Sequence, residues 1–269
     1  MHDWSKLNNE KRAVLDIVID SWEKLINATN TTEHDTHQFI SDHASLFFWN
    51  SDAPVISRLK LGDDHITDLI VMRDNGSDGF TYELIELESP NDRTFTARGT
   101  QSTALTEALQ QIEDWKRWIS DNPSKAKELF PSKSFQLWDR ARIRYTVIIG
   151  RREDSFAHIE KRRQKSDLYG VDIRSYGFLT DQLKRLRATN FPDFEVPQYD
   201  WKNSISEEDI NKLINPFRKC LPYSKWKEIT RAKEFYSSHM AGWNWKLFIE
   251  HTPINEEMLS AFAKHPDQA

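Results

Sequence analysis

The sequence predicts an α/β fold, a mixed β-sheet flanked by helices with a helical C-terminal extension. Two observations lead there. Some stretches repeat apolar residues at a helical period, whereas others alternate them or run them together. The two kinds of stretch interleave along the 269 residues instead of separating into blocks. A chain that is 38% hydrophobic, with 10 Trp, 15 Phe and 7 Tyr, has the material for a sizeable core, which excludes wholesale disorder.

Residues 5–29 place Leu7, Val14, Leu15, Val18, Ile19, Trp22, Leu25 and Ile26 near a 3.6-residue period, an amphipathic helix ending at Asn27-Ala28-Thr29-Asn30. A second helix is expected from Thr32 to about Asp42, capped by Thr31 or Thr32. Strands follow over 66–72 and 81–87, and the Asn75–Gly79 stretch between them is a hairpin turn signal. A long helix over 103–120 buries Leu105, Leu109, Ile112 and Ile119, with Trp115 or Trp118 alongside. A strand over 143–149, a helix over 153–167, a short strand at 171–173 and a helix over 179–188 complete the centre. Phe191–Pro197 reads as linker. Ser206-Glu207-Glu208-Asp209 resembles a capping box, and Thr252-Pro253 a further helix start. The expected organisation is an N-terminal helical segment 1–30, an α/β core 31–190, a linker 191–203 and a helical extension 204–269.

The formal charge is −5, which excludes a polycation that coats nucleic acid by net charge alone. One cysteine, Cys220, allows no intramolecular disulfide and no thiolate zinc site. The N-terminal residues show no signal pattern, and no apolar run reaches the roughly 20 residues that cross a bilayer. The expectation is a cytoplasmic protein with no membrane partner.

The acids are unevenly placed. Leu61 to Asp92 holds nine Asp or Glu against Arg73 alone, a local charge of −8. Asp68, Glu86 and Glu88 stand where strands should be apolar. Alternation puts Tyr82, Leu84, Glu86 and Glu88 on one face and Glu83, Ile85 and Leu87 on the other, so apolar residues lie on both. The turn centres on residue 77, nine residues after Asp68 and nine before Glu86. Symmetric pairing therefore sets those two acids opposite one another, with Cβ atoms about 5 Å apart. Such crowding is relieved by protonation or by a divalent cation, and oxygen ligands without Cys or His favour Mg²⁺ or Mn²⁺. The other reading is an exposed edge hairpin whose acids face water.

At these residues the chain resembles the nuclease domain of Shedu-type anti-phage defence proteins, within the PD-(D/E)xK superfamily. Glu33 leads into His37-Gln38-Phe39-Ile40 as in the family's first helix. Thr67-Asp68 stands at Pro-Asp, Glu86-Leu87-Glu88 at Glu-x-Lys, and Gln111-Ile112-Glu113-Asp114-Trp115 at the helix motif. The likeness spans about residues 33–188. It implies a restriction-endonuclease-like core hydrolysing DNA phosphodiesters, as endonuclease or nickase, with Mg²⁺ (or Mn²⁺) as cofactor. Asp68, Glu86 and the Leu87 carbonyl would hold the metal, Glu33 would be an outer or second-metal ligand, and Gln111 would position water or phosphate. Glu88 departs from the family lysine. A carboxylate supplies no positive charge, but it can act as base or auxiliary ligand. Some restriction enzymes of the superfamily also carry Glu there. The alternative is a degenerate nuclease-fold module that binds nucleic acid or a protein partner.

Arg140 to Lys165 carries nine Lys or Arg against Glu153, Asp154 and Glu160, a local charge of +6. Arg151, Arg152, Arg162 and Arg163 are the expected phosphate contacts, DNA being the expected partner; a solvated helix face is the plainer reading. A homo-oligomer is left open. His34, His37 and His43 fit no zinc motif, and the irregularly spaced tryptophans read as core.

Overall fold

The computed structural model describes residues 4–49, 54–75, 79–132, 142–152, 156–188, 217–232, 248 and 250–263. In chain order the described elements are α1 (Trp4–Asn27), α2 (Glu33–Asp42), α3 (Ala44–Phe47), β1 (Val55–Ser57), β2 (Lys60–Leu61), β3 (His65–Ile66), β4 (Leu69–Asp74) and β5 (Phe80–Leu87). There follow α4 (Thr103–Asp121), α5 (Pro123–Leu129), β6 (Arg142–Ile148), α6 (Phe156–Tyr169), β7 (Asp172–Arg174), α7 (Tyr176–Ala188), β8 (Leu221–Pro222), α8 (Tyr223–Arg231) and α9 (Glu256–Ala263).

Six strands form one mixed sheet in the order β7-β6-β5-β4-β1-β8. The β1, β4 and β5 strands are antiparallel neighbours, β5, β6 and β7 run parallel, and β8 joins β1 in parallel. The chain passes from β5 to β6 through α4 and α5, as a parallel pair requires. Both sheet faces are covered. Tyr82, Leu84, Ile70 and Met72 pack with Leu105, Leu109, Ile112 and Trp115 of α4 and with Trp226 and Ile229 of α8. Ile85, Leu87, Leu69 and Val71 pack on the other side with Trp22 of α1, Ile40 of α2, Phe47 of α3 and Leu179 and Leu183 of α7. The alternation read from β5 is thus a strand buried on both faces.

Local chemistry accounts for the element ends. Thr32 caps α2 in a capping box, its hydroxyl accepting from the Asp35 N–H while the Asp35 carboxylate accepts from the Thr32 N–H at 2.9 Å. The Ser102 hydroxyl accepts from Leu105 N–H to start α4. Trp22 Nε1 donates to Thr180 Oγ1 at 3.0 Å, tying α1 to α7 inside the core. Trp22, Trp115 and Trp226 are fully buried, as core tryptophans should be.

Several expectations need correction. The strand expected over 66–72 is divided: His65–Ile66 pairs with Lys60–Leu61 in a separate two-stranded sheet, and β4 begins at Leu69. Thr67 and Asp68 lie between, joined to the neighbouring strand by Thr67 N–H to Leu59 O and Arg58 N–H to Asp68 O, both 2.9 Å. Helix α7 begins at Tyr176, three residues before the expected 179, because the buried Tyr176 and Gly177 add a turn that carries no apolar period. The last helix begins at Glu256, where the Asn255 side chain accepts from Met258 N–H, and not at Thr252-Pro253. The described part of 204–269 is neither wholly helical nor apart from the core, since β8 extends the main sheet and Trp226 enters its packing. Residues 191–203, the 206–209 capping box, the hairpin tip 76–78, Arg140 and Glu153–Ser155 lie outside the described residues.

Candidate functional site

The β4–β5 register runs from Leu69↔Ile85 to Asp74↔Phe80, symmetric about residue 77. One step beyond its last pair, Asp68 and Glu86 face each other. Their carboxyls are hydrogen-bonded, and Asp68 Oδ2 also accepts from the Leu87 N–H at 2.8 Å. Glu86 is 6% exposed, and its Oε2 is buried with no hydrogen-bond partner among the described residues. A buried, unpaired carboxyl oxygen is costly, so this atom is the first place to look for a missing partner.

Burial is the main force on both pKa values. It raises Glu86, with the charges of Asp68, Glu88 and Glu33 adding to the effect. It also raises Asp68, opposed by the Leu87 N–H and by the Arg58 charge. Burial and the neighbouring acids therefore favour the protonated form of Glu86, whose hydrogen bond to Asp68 acts in the same direction. Glu88, half-buried just past β5, is pushed up to about 7 by burial and by the charges of Glu33, Asp92, Asp68 and Glu107. Glu33, at the rim in the first turn of α2, is raised chiefly by the partial burial of its carboxyl. Four acids from α2, the approach to β4, and the end of β5 thus form one electrostatic unit.

The backbone around them is tightly held. Tyr176 donates its hydroxyl to the Glu88 carbonyl at 2.7 Å and lies 2.9 Å from Thr36 Oγ1. Thr36 in turn donates to the Glu33 carbonyl at 2.8 Å. This buried set links the helix of Glu33 to the strand end of Glu88, and burial lifts the Tyr176 phenol far above its usual range. His37 Nε2 lies 3.2 Å from the Asp68 carbonyl and 3.1 Å from Ser57 Oγ. Burial lowers its pKa, so the imidazole is neutral, with its proton on Nε2 to reach that carbonyl. After β5, Ser89 Oγ and Asn91 Nδ2 both donate to the Thr31 carbonyl. Gly150, at φ 69°, lets the same loop close on β6, because a Cβ there would stand 2.5 Å from the Asp92 carbonyl oxygen.

Gln111 sits half-buried on α4, one turn beyond Glu107, and its side chain makes no hydrogen bond among the described residues. Leu87 is fully buried between the two glutamates. As they stand, no three His, Cys, Asp or Glu side chains among the described residues converge closely enough to hold a metal ion. The three N-terminal-region histidines are not drawn together. His43 Nδ1 pairs with the Phe39 carbonyl, His34 faces Arg58, and His37 serves Asp68.

The basic residues divide. Arg151 donates to the carbonyls of Ile26 (2.9 Å) and Ala28 (3.0 Å) and to Asn91 Oδ1, closing the C-terminal end of α1. Arg152 donates to the Gly177 carbonyl and pairs with Asp181. Arg162 and Arg163 lie on α6, none of whose residues is fully buried. Tyr176, Thr36 and Arg58 escaped the sequence reading, and His37, weighed there only as a zinc ligand, sits against the Asp68 carbonyl instead. Only the Thr36 hydroxyl, one turn after a cap, had a local pattern to reveal it.

Fold and site together define an α/β protein with a buried carboxylate centre at the end of a sheet covered on both faces. The chain belongs to the Shedu family: the model of the Shedu protein SduA C-terminal region matches residues 30–179, more than half of the chain and all of this site. Comparison with curated proteins gives no match. Among the described residues no helix is long and apolar enough to cross a membrane.

Proposed function

We propose that this protein is a Mg²⁺- or Mn²⁺-dependent DNA endonuclease or nickase acting in bacterial anti-phage defence. Family membership supports the defence role. The observation that carries the chemistry is the orphaned Glu86 oxygen in a carboxyl pair with Asp68. Oxygen donors without thiolate suit a hard divalent cation, and exchanging the shared proton for one would satisfy that atom. The order helix (Glu33), strand approach (Asp68), strand end (Glu86, Glu88), helix (Gln111) also follows the PD-(D/E)xK pattern.

In this reading Asp68, Glu86 and the Leu87 carbonyl hold the metal, and Glu33 is an outer ligand. The cation, when bound, supplies Lewis acidity to the scissile phosphate and lowers the pKa of the attacking water. Glu88 would be the proton acceptor of the site, a role that fits a carboxyl pushed up to about 7. Gln111 orients water or phosphate from α4. Of the expected phosphate contacts, Arg162 and Arg163 keep that assignment by their place on α6, and Arg151 and Arg152 are set aside because they donate to carbonyls inside the protein.

A second reading is a non-catalytic module that binds nucleic acid or a partner. It draws on the absence of a preformed three-ligand cluster among the described residues and on Glu88 in the lysine position. Calorimetric titration with Mn²⁺, paired with plasmid cleavage by wild type and Asp68→Asn, separates the two. Metal uptake and cleavage that both vanish in the variant uphold the nuclease; wild-type chain that takes up no metal and cuts no DNA overturns it.

A further inference from the structure

Glu88 leaves the four-acid centre without the cation that the lysine would have supplied, yet a cation is present on the neighbouring strand. The antiparallel pairs Ser57–Leu69 and Lys60–Ile66 belong to separate sheets, and the break between them holds Arg58 and Asp68 side by side. The Arg58 N–H donates to the Asp68 carbonyl at 2.9 Å. Arg58, Asp68 and Glu86 therefore form one row across three adjacent strand paths. Arg58 is also the one non-glycine residue with positive φ, at 52°, among the described residues. An arginine gains nothing from that conformation, which glycine tolerates and side chains with a Cβ disfavour; such strain gathers at functional positions. The guanidinium is exposed, and its charge acts on Glu33, Asp68 and His37. Its one direct side-chain partner is His34 Nδ1 at 3.4 Å, and among the described residues no carboxylate closes an ion pair with it.

We propose that Arg58 is the phosphate-binding cation of this site, holding the anionic oxygens of the scissile group beside Asp68 and filling the place the lysine leaves. The assignment rests on the nuclease reading for its substrate but not for its geometry. A guanidinium presents paired donors to two phosphate oxygens, and its positive charge offsets the negative charge gathered between phosphate and carboxylates.

The test uses the full chain with Arg58→Gly, Arg58→Gln and Arg58→Lys, and three readouts. These are the thermal midpoint without metal, the salt dependence of binding to a short fluorescent DNA duplex in Ca²⁺, and the initial cleavage rate in Mg²⁺. Arg58→Gly should melt at or above the wild-type temperature, because glycine adopts this φ without strain. Arg58→Gly and Arg58→Gln should both lower the log–log salt slope by about one and cut at least about 100-fold more slowly. Arg58→Lys should keep the slope and fall between in rate. Variants that bind and cut like wild type, or lose activity only as far as they lose stability, overturn the assignment. If wild type cuts in no metal, the nuclease reading fails, and the salt slope alone decides Arg58: a drop of about one upholds it, and an unchanged slope overturns it.

Discussion

Removing the Glu88 charge should make the metal-free protein less sensitive to alkaline pH. The Glu88 carboxyl is raised from its ordinary 4.5 to about 7, first by burial and then by Glu33, Asp92, Asp68 and Glu107. A carboxyl whose folded value lies above its unfolded value gives its full contribution below the unfolded value. That contribution disappears as pH rises through the folded value. Each unit corresponds to about 1.4 kcal/mol, so this separation sets a ceiling of about 3 kcal/mol. Solvent reaches the half-buried side chain, and screening reduces the expected loss to about 1–2 kcal/mol. Urea unfolding of wild type and Glu88→Gln in EDTA, at pH 4.5 and pH 8, measures it. Wild type should lose about 1–2 kcal/mol more than the variant between the two conditions. Parallel losses would refute the reasoning, for they would mean that neither burial nor the neighbouring acids raise the Glu88 carboxyl.

Other consequences follow from the same contacts. Glu86→Gln replaces a protonated carboxyl with an amide of the same shape that can still donate to Asp68. Its metal-free stability at pH 6 should stay within about 1 kcal/mol of wild type, while calorimetry should show Mn²⁺ uptake lost. Tyr176→Phe strips the Glu88 carbonyl of its donor and should cost about 1–2 kcal/mol in urea unfolding; cleavage should fall by more than stability predicts, because Glu33 and Glu88 lose their common link. Arg151→Ala opens the C-terminal end of α1 and should also cost about 1–2 kcal/mol, yet leave the salt dependence of DNA binding unchanged.

What was legible in the sequence was what local pattern controls. The period of Leu105, Leu109, Ile112 and Trp115 writes out a helix face, and the symmetry of the turn about residue 77 writes out the β4–β5 register. Acids in apolar positions marked Asp68, Glu86 and Glu88 before any coordinates. The break at Thr67-Asp68 was not legible, because the apolar run passes through it and the left-handed Arg58 that accompanies the break lies on another strand. The role of β8 was hidden for a related reason: a two-residue strand has no period, and its place is set by β1, more than 160 residues earlier. Arg151 and Arg152 show the limit of reading charge from sequence. A run of basic residues looks like a phosphate surface, but hydrogen bonds to distant carbonyls decide which of them remain available.

The local charges sharpen the same point. In this centre Glu86 is pushed toward its protonated form, Glu88 is raised to about 7, and the Arg58 charge opposes the rise at Asp68. Such a site is under-compensated: Asp68 and Glu86 are buried away from screening water, while Glu88 and Glu33 stand nearer the rim. If the proposed function holds, such a site would lower its energy either by holding protons or by exchanging them for a divalent cation with a phosphate on Arg58. The two states differ in proton number, so any cation bound here must release protons, and its affinity must rise with pH across the range where Glu88 titrates. A lysine in place of Glu88 would weaken that coupling by neutralising the acids from within. On the proposed function the glutamate would therefore do more than remove a charge, because it would make occupancy of the centre depend on what arrives from outside.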